Sequence, residues 1–350
     1  MTGDVRAAQM TAAVERIDAT AADDRSVREQ ILSAVRQFVP FDSHAFVLTD
    51  PASTVGCSPL ADIPDVSRLP ALIRLKYLTD INRWTDLPSG GATLLGTTAG
   101  RPERSLVWRE HLAALGVVDV YSAAYTDRFG CWGFLDLWRS APFEDGDLAI
   151  LSRVAPRITA LLREAQMRAF VLAGTPIQRG GGASALVMSP DLEVRAQTPQ
   201  TREWMAALLP RGSGESIVPA SAYNVAAQLL ANEAGVDTHA PQARVHLGGG
   251  EWLALRAARW SGPTPTDERD VVVTVEQISS AERRDLISRV HALTAREDEL
   301  LTRLAEGIDT RTAAREMAIS EHTVQDHLKS VFRKTSTSSR RELLAMASGH

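Results

Sequence analysis

Lysine is nearly missing from this chain. Of its 38 basic residues the lysines are Lys76, Lys329 and Lys334, and the rest are arginine. Basic surface must therefore be built from arginine, and the two lysines of SEHTVQDHLKSVFRKTS, residues 320–336, stand out by their closeness. Cysteine is as scarce. Cys57 and Cys131 lie far apart, and neither has a CxxC partner, which excludes a disulfide framework and a cysteine-rich zinc site. Both are expected as reduced, small, partly buried side chains. Long apolar runs are missing too, and nothing approaches the ~20 residues that a membrane span needs. The opening MTGDVRAAQMTAAVERIDATAADD lacks the basic and apolar regions of a signal peptide. A cytoplasmic protein with no membrane partner, metal or cofactor is expected. With 350 residues, 44% hydrophobic and 23% charged, the chain has the composition of a folded protein of two or three domains.

The formal net charge of -5 argues against nucleic acid until it is divided along the chain. Residues 281–350 hold 12 Lys+Arg and 11 Asp+Glu, so the acidity belongs to the front. Within 311–341, Arg311, Arg315, Lys329, Arg333, Lys334, Arg340 and Arg341 face Glu316, Glu321 and Asp326, a local net of +4. That is a modest footprint for phosphate contact.

Periodicity and breakers divide the chain into three segments. In the first, residues 1–168, VREQILSAVRQF places Val27, Ile31 and Val35 at helical spacing before Pro40, and HAFVLTD reads as a strand. SRLPALIRLKYL reads as a helix. VVDVYSAAYTD and CWGFLDLWRS, joined by RFG, read as an antiparallel hairpin. EDGDLAILSRVAPRITALLREAQ closes the segment as a helix with an acidic first turn. Helices flanking an antiparallel sheet make an α+β domain. With its glycine-bearing last strand, acidic turn and long exit helix, WGFLDLWRSAPFEDGDLAIL resembles a GAF-type sensor domain. The resemblance implies a small-molecule pocket between sheet and helices, with Trp84, Trp108, Tyr121, Cys131 and Trp132 as candidate lining residues. For any one of them a plain core role is the competing reading.

The second segment, residues 180–280, follows the glycine cluster RGGGAS, which reads as a linker. ALVMSPDLEVRAQT, ARVHLGGGEWLALRAARW and DVVVTVEQI are β-rich around the helical TREWMAALLP and AYNVAAQLLAN, and the whole resembles a PAS-type α+β module. His246-Leu247-Gly248-Gly249-Gly250 resembles the HGGG oxyanion loop of esterases, but RGSGES lacks the GxSxG pattern and no nucleophile–base pair can be assembled. A hairpin turn and a non-enzymatic protein are the reading.

The third segment, residues 288–350, carries capping signals at short intervals. Thr294 and Glu297 fit a T-x-x-E box, Gly307 a C-terminal cap, Asp309 or Thr310 and Ser320 two further N-caps, and Ser339 with Glu342 an S-x-x-E box. In the helix after Ser320, Val324, Leu328 and Val331 share one arc, while His322, Gln325, Asp326, Lys329 and Arg333 share the opposite one. Four short capped helices, the third polar outside, make an all-α helix-turn-helix domain that can place a helix in a major groove ~12 Å wide. Residues 293–344 resemble the DNA-binding domain of LuxR/FixJ-type transcription factors: the Leu-Thr-x-Arg-Glu opening, Gly307, Ser320, Thr323-Val324, His327 and Lys334 all fall in register. The chain departs from that pattern at Ala313, Ala318 and Thr335, and has Gln325 where a basic residue is common.

The resemblance implies double-stranded DNA as partner, with Thr323, Gln325, Asp326, Lys329, Arg333, Lys334, Arg311 and Arg340 as contact candidates. It also implies a homodimer formed through the fourth helix, and contact with RNA polymerase. Gln325 can pair with adenine N6/N7, and Asp326 can accept from cytosine N4 or pair with Lys329 one turn on. Lys329, Arg333, Lys334 and Arg340 are assigned to phosphates. The expectation is an α+β multidomain regulator: a GAF-like sensor, a PAS-like middle domain and a helix-turn-helix, responsive to a small-molecule effector. A constitutive regulator with structural front domains is the alternative. A phosphorylated receiver is discounted, because Asp23-Asp24 sits in a helical region and Lys76 lacks the receiver context.

Overall fold

The computed structural model describes residues 3–19, 23–88, 90–171, 184–209, 218–248, 250–260 and 270–349. The front unit comprises α1 (Gly3–Glu15), α2 (Asp24–Phe38), β1 (Ser43–Thr49), β2 (Gly56–Asp62), α3 (Leu69–Leu78), β3 (Ala92–Thr93), α4 (Leu94–Thr98), β4 (Asp119–Asp127), β5 (Gly130–Arg139) and α5 (Asp145–Val171). α2 begins where the Asp23 carboxylate accepts from Ser26 N at 2.7 Å, and it buries the expected Val27, Ile31 and Val35 stripe. The strands form an antiparallel sheet in the order β2-β1-β5-β4-β3. The β4–β5 hairpin turns at Gly130, where a Cβ would stand 2.2 Å from the Pro51 carbonyl oxygen, so the turn requires glycine. β2 has no clear strand signature because it contains Pro59, which an edge strand tolerates.

The second unit comprises β6 (Ala185–Met188), β7 (Val194–Gln197), α6 (Pro199–Leu208), α7 (Ala220–Glu233), β8 (Gln242–Gly248), β9 (Glu251–Arg259) and β10 (Val271–Gln277). Its antiparallel sheet runs β7-β6-β10-β9-β8. Counted from its own first strand, each sheet has the order second, first, fifth, fourth, third. The two front units are topological copies. RGSGES and the glycines of RGGGAS lie outside the described residues.

The two units share a core. α7 packs on β9 and β10 of its own unit and on α3 and β2 of the other, with fully buried Ala222, Val225 and Ala226 along it. Small side chains let the helix approach both layers closely. Val47, Ile73 and Phe134 of the first unit join Leu186, Leu253 and Val273 of the second in one cluster. Each large aliphatic side chain buried there stabilises by roughly 1.5–3 kcal/mol, so the units are tied by packing as well as by the chain. Lys76 is buried in the first unit, 3.1 Å from Asp136, which also accepts from Trp84 Nε1 at 3.0 Å. That lysine is structural.

α8 (Ser280–Val290), opened by a reciprocal Ser279–Glu282 capping box, leads into α9 (Ala295–Ala305), α10 (Thr310–Glu316), α11 (Glu321–Thr335) and α12 (Arg340–Ser348). Leu286, Ile287 and Val290 of α8 are fully buried in a cluster that runs from α5 to Val331 of α11 and Leu343 of α12. The C-terminal bundle is thus packed onto the front half through α8.

Candidate nucleic-acid interface and an interdomain cavity

The C-terminal helices start where the caps place them. Thr294 N donates to Glu297 Oε2 at 2.7 Å, Asp309 accepts from Thr312 N at 2.7 Å, and Ser320 accepts from Thr323 N at 3.1 Å. Ser339 accepts from Glu342 N at 3.2 Å, but the Glu342 carboxylate turns to Ser338 N at 2.7 Å, so the expected S-x-x-E box is half formed. Thr335, where the chain departs from the family pattern, is buried without an orphan group, since its hydroxyl donates to Val331 O at 2.9 Å. Ala318, in the turn between α10 and α11, takes φ +53°, a left-handed conformation that costs a residue with a Cβ roughly 1–2 kcal/mol. Ala318→Gly is expected to raise stability by about 0.5–1 kcal/mol after glycine's entropic cost. A lower midpoint in urea unfolding would contradict this.

α11 buries Val324, Leu328 and Val331 and exposes His322, Gln325, Asp326, Lys329 and Arg333. The outward arc stays uncovered among the described residues. The Gln325 carboxamide has no protein partner among the described residues. Asp326 lies 3.3 Å from Lys329 Nζ and 3.5 Å from His322 Nε2, exposed pairs worth a few tenths of a kcal/mol and readily exchanged for other partners. Arg311 is 88% exposed beside Glu321, and Arg333 reaches Ser330 Oγ at 3.4 Å. The Thr323 hydroxyl lies 2.9 Å from that of Ser320.

Two basic candidates are spent inside the domain instead of facing outward. Arg340 Nη2 donates to Ile308 O at 2.8 Å. Lys334 Nζ sits 2.6 Å from Glu297 Oε2 and donates to Ala292 O at 3.0 Å. Burial would raise the Glu297 pKa, but hydrogen bonds from Lys334, Ser330 and Thr294 outweigh it and hold the carboxyl at about 2. The capping carboxylate, invisible as a partner in the sequence, lies two helices before the lysine that neutralises it.

The five aromatic and thiol candidates are not brought together. Trp84 stacks on Phe134 at 5.5 Å, Tyr121 donates to Gly90 O at 3.0 Å, Trp108 Nε1 donates to Val117 O at 2.8 Å, and Cys131 and Trp132 are buried. They fall in three separate clusters, and none borders the large cavity. Tyr121, Cys131 and Trp132 lie on β4 and β5, whereas Trp84 and Trp108 lie in short helical turns outside the sheet. Burial pushes the Cys57 thiol well above its ordinary range and Cys131 to about 11, so neither offers a thiolate at neutral pH.

A cavity of about 610 Å³ lies instead between the two front units, lined by Cys57, Ser58 and Leu60 of β2, Gln166 of α5, His246 of β8 and Trp252 of β9. His246 and Trp252 are register partners with rings 5.1 Å apart. The His-Leu-Gly-Gly-Gly stretch is the β8–β9 hairpin, with Gly249 outside the described residues, and its histidine is a cavity wall. Burial depresses His246 to about 4, leaving a neutral imidazole at neutral pH. Trp252 stacks on Phe170 at 5.0 Å; the Arg283 guanidinium of α8 lies 5.3 Å from the Phe170 ring and donates to Met346 O of α12 at 2.8 Å.

Residues 291–347 match the family of bacterial regulatory proteins, luxR family. Among solved structures, the VqsR LBD domain from Pseudomonas aeruginosa is similar at 16% identity over 47% of this chain and 95% of that one, with a TM-score of 0.31. SdiA in complex with octanoyl-rac-glycerol is similar at 15% identity over 99% of this chain and 95% of that one, with a TM-score of 0.31. No curated protein matches the chain.

Proposed function

We propose that this chain, whose C-terminal segment is a luxR-family helix-turn-helix domain, is a sequence-specific transcriptional regulator whose front half responds to a small molecule. The observation that carries the reading is the outward arc of α11: polar, exposed among the described residues and presented by a bundle of the matching family. In this reading Gln325 pairs with adenine, Asp326 accepts from cytosine once released from Lys329, and Lys329, Arg333 and Arg311 hold phosphates. Thr323 supports the first turn. The two front units serve as GAF-like and PAS-like modules, and their shared strand order supports treating them as related modules. The protein works in the cytoplasm as a homodimer on a pseudo-palindromic site, pairing through the side of α12 not packed on α8, and meets RNA polymerase there.

Anisotropy titrations across salt, with a duplex selected from random sequence and an unselected one, test the reading. Lys329→Ala should weaken binding to both and lower the salt slope by about 1. Gln325→Ala should cost about 1–3 kcal/mol on the selected duplex and little on the other. Equal losses on both would remove Gln325 as a reader.

A further inference from the structure

The geometry points to the cleft between the two front units as the effector site, and to a neutral, largely apolar molecule with one carboxamide or hydroxyl group as its occupant. This rests on the reading of the front half as a sensor. A volume of about 610 Å³ is in the range of pockets that enclose small organic ligands. The walls are mostly aliphatic and aromatic, with Leu60, Val245 and Trp252 among them.

The charged groups of the lining are already matched within the protein. Asp24 pairs with Arg28 at 2.9 Å, Arg25 with Glu29 at 2.9 Å, and Arg244 with Asp50 and Asp285 at 2.7 Å each. Asp23 caps α2, and Arg168 is engaged within the chain. The exposed Arg25–Glu29 pair exchanges readily, but a carboxylate or ammonium lodged by Arg244 would have to break its buried pair with Asp50 or lie unpaired in an apolar space, and both are costly. The neutral His246 adds no charge.

Several polar groups of the lining are left over, among them His246 Nε2 and Trp252 Nε1, which are buried with no hydrogen-bond partner among the described residues. Gln166 is 7% exposed and lines the cleft, yet its carboxamide has no hydrogen-bond partner among the described residues. The amide opens into the cleft, where a polar group of an occupant can meet it. Ser58, on the facing strand, has an uncommitted hydroxyl as well. Together they offer donors and an acceptor from β2 and α5. An occupant would also press on Trp252 and Arg244, whose contacts lead to Arg283 and Asp285 of α8, and so would bias the helix that carries the DNA-binding bundle.

The test uses the full chain. The neutral dye N-phenylnaphthylamine is titrated in, then displaced by decanamide or by decanoate. Saturable dye binding is expected, with decanoate weaker than decanamide by about tenfold or more. Gln166→Leu should weaken decanamide about fivefold, the worth of one hydrogen bond, and leave the dye unchanged. Ala61→Trp, at the exposed mouth on β2, should abolish binding of both. Thermal unfolding checks both variants; should Ala61→Trp unfold, Gln166→Leu alone decides. Absent dye binding, equal competition by decanoate, or decanamide affinity unmoved by Gln166→Leu would overturn the inference. The same samples are titrated with DNA. DNA binding without dye binding sinks the cleft and spares the regulator, whereas dye binding without DNA binding does the reverse.

Discussion

Arg244→Ala is expected to cost the front half about 3–5 kcal/mol, enough to leave much of the protein unfolded or insoluble. Arg244 is 7% exposed and Asp50 1% exposed. Asp50 takes three hydrogen bonds from that one residue: from Nη2 at 2.7 Å, Nε at 2.8 Å and the backbone N at 2.8 Å. The remaining guanidinium nitrogen donates to Asp285 Oδ2 at 2.7 Å and Glu282 O at 3.1 Å, so one side chain of β8 ties the first sheet to α8. Alanine would strand a carboxylate in the interior. Lysine should rescue little, because a single ammonium cannot span both carboxylates in the planar fork that arginine provides. Asp50→Asn with Arg244→Met should hurt less than Arg244→Ala alone, since no buried charge is then left unpaired.

The pH dependence of that pair has a definite sign. Burial would raise the Asp50 pKa, but hydrogen bonds and charge from Arg244 more than offset it, and the folded value lies below the ordinary 3.8. The pair's contribution is therefore present above the ordinary carboxylate range and is lost as pH falls through the lowered folded value. Asp237, brought to about 2 against burial by hydrogen bonds from His239 and Thr85, has the same sign. Urea unfolding at neutral pH and near pH ~3 reads both effects. A neutral-pH loss under ~1 kcal/mol for Arg244→Ala would show that water reaches Asp50.

How far the sequence could carry the reading depends on how local each feature is. The caps at Thr294, Asp309 and Ser320 and the inward stripe of α11 act within one or two turns, and they stand where spacing puts them. The β4–β5 hairpin is similar, with both strands and its turn glycine adjacent in the chain. Ser279 and Glu282 carry the same signature as Thr294 and Glu297, so the signal for α8 was available, although its role as a joint was not. The cleft was out of reach for another reason. It forms where β2 and β8 approach, and its marker, the Cys57 Sγ contact to Arg244 O at 3.4 Å, joins residues far apart in the chain. Aromatic content could say that Trp84, Tyr121 and Trp132 would be buried. It could not say on which side of the sheet space would remain.

Lys334 gives the second large effect, and it separates two roles that composition confuses. A basic residue at the exit of a reading helix invites assignment to a phosphate, yet its ammonium is held by Glu297 and Ala292 O, and Glu297 is 3% exposed. Lys334→Met keeps the aliphatic stem and removes the charge. It should destabilise the C-terminal bundle by about 2 kcal/mol, below the fully buried range because Lys334 is partly in water. The Glu297 contribution is complete above its ordinary 4.5 and fades as pH falls toward about 2, so the variant should lose this part of the acid dependence. DNA binding supplies the discriminating measurement. At temperatures where the variant is folded, its salt slope should equal that of the parent, whereas Lys329→Ala lowers the slope by about 1. Stability within ~0.5 kcal/mol of the parent together with a lower slope would return Lys334 to the phosphate backbone. With the slope unmoved, the lone exposed lysine among the described residues is Lys329, and the basic face of this acidic protein rests on it with Arg311 and Arg333.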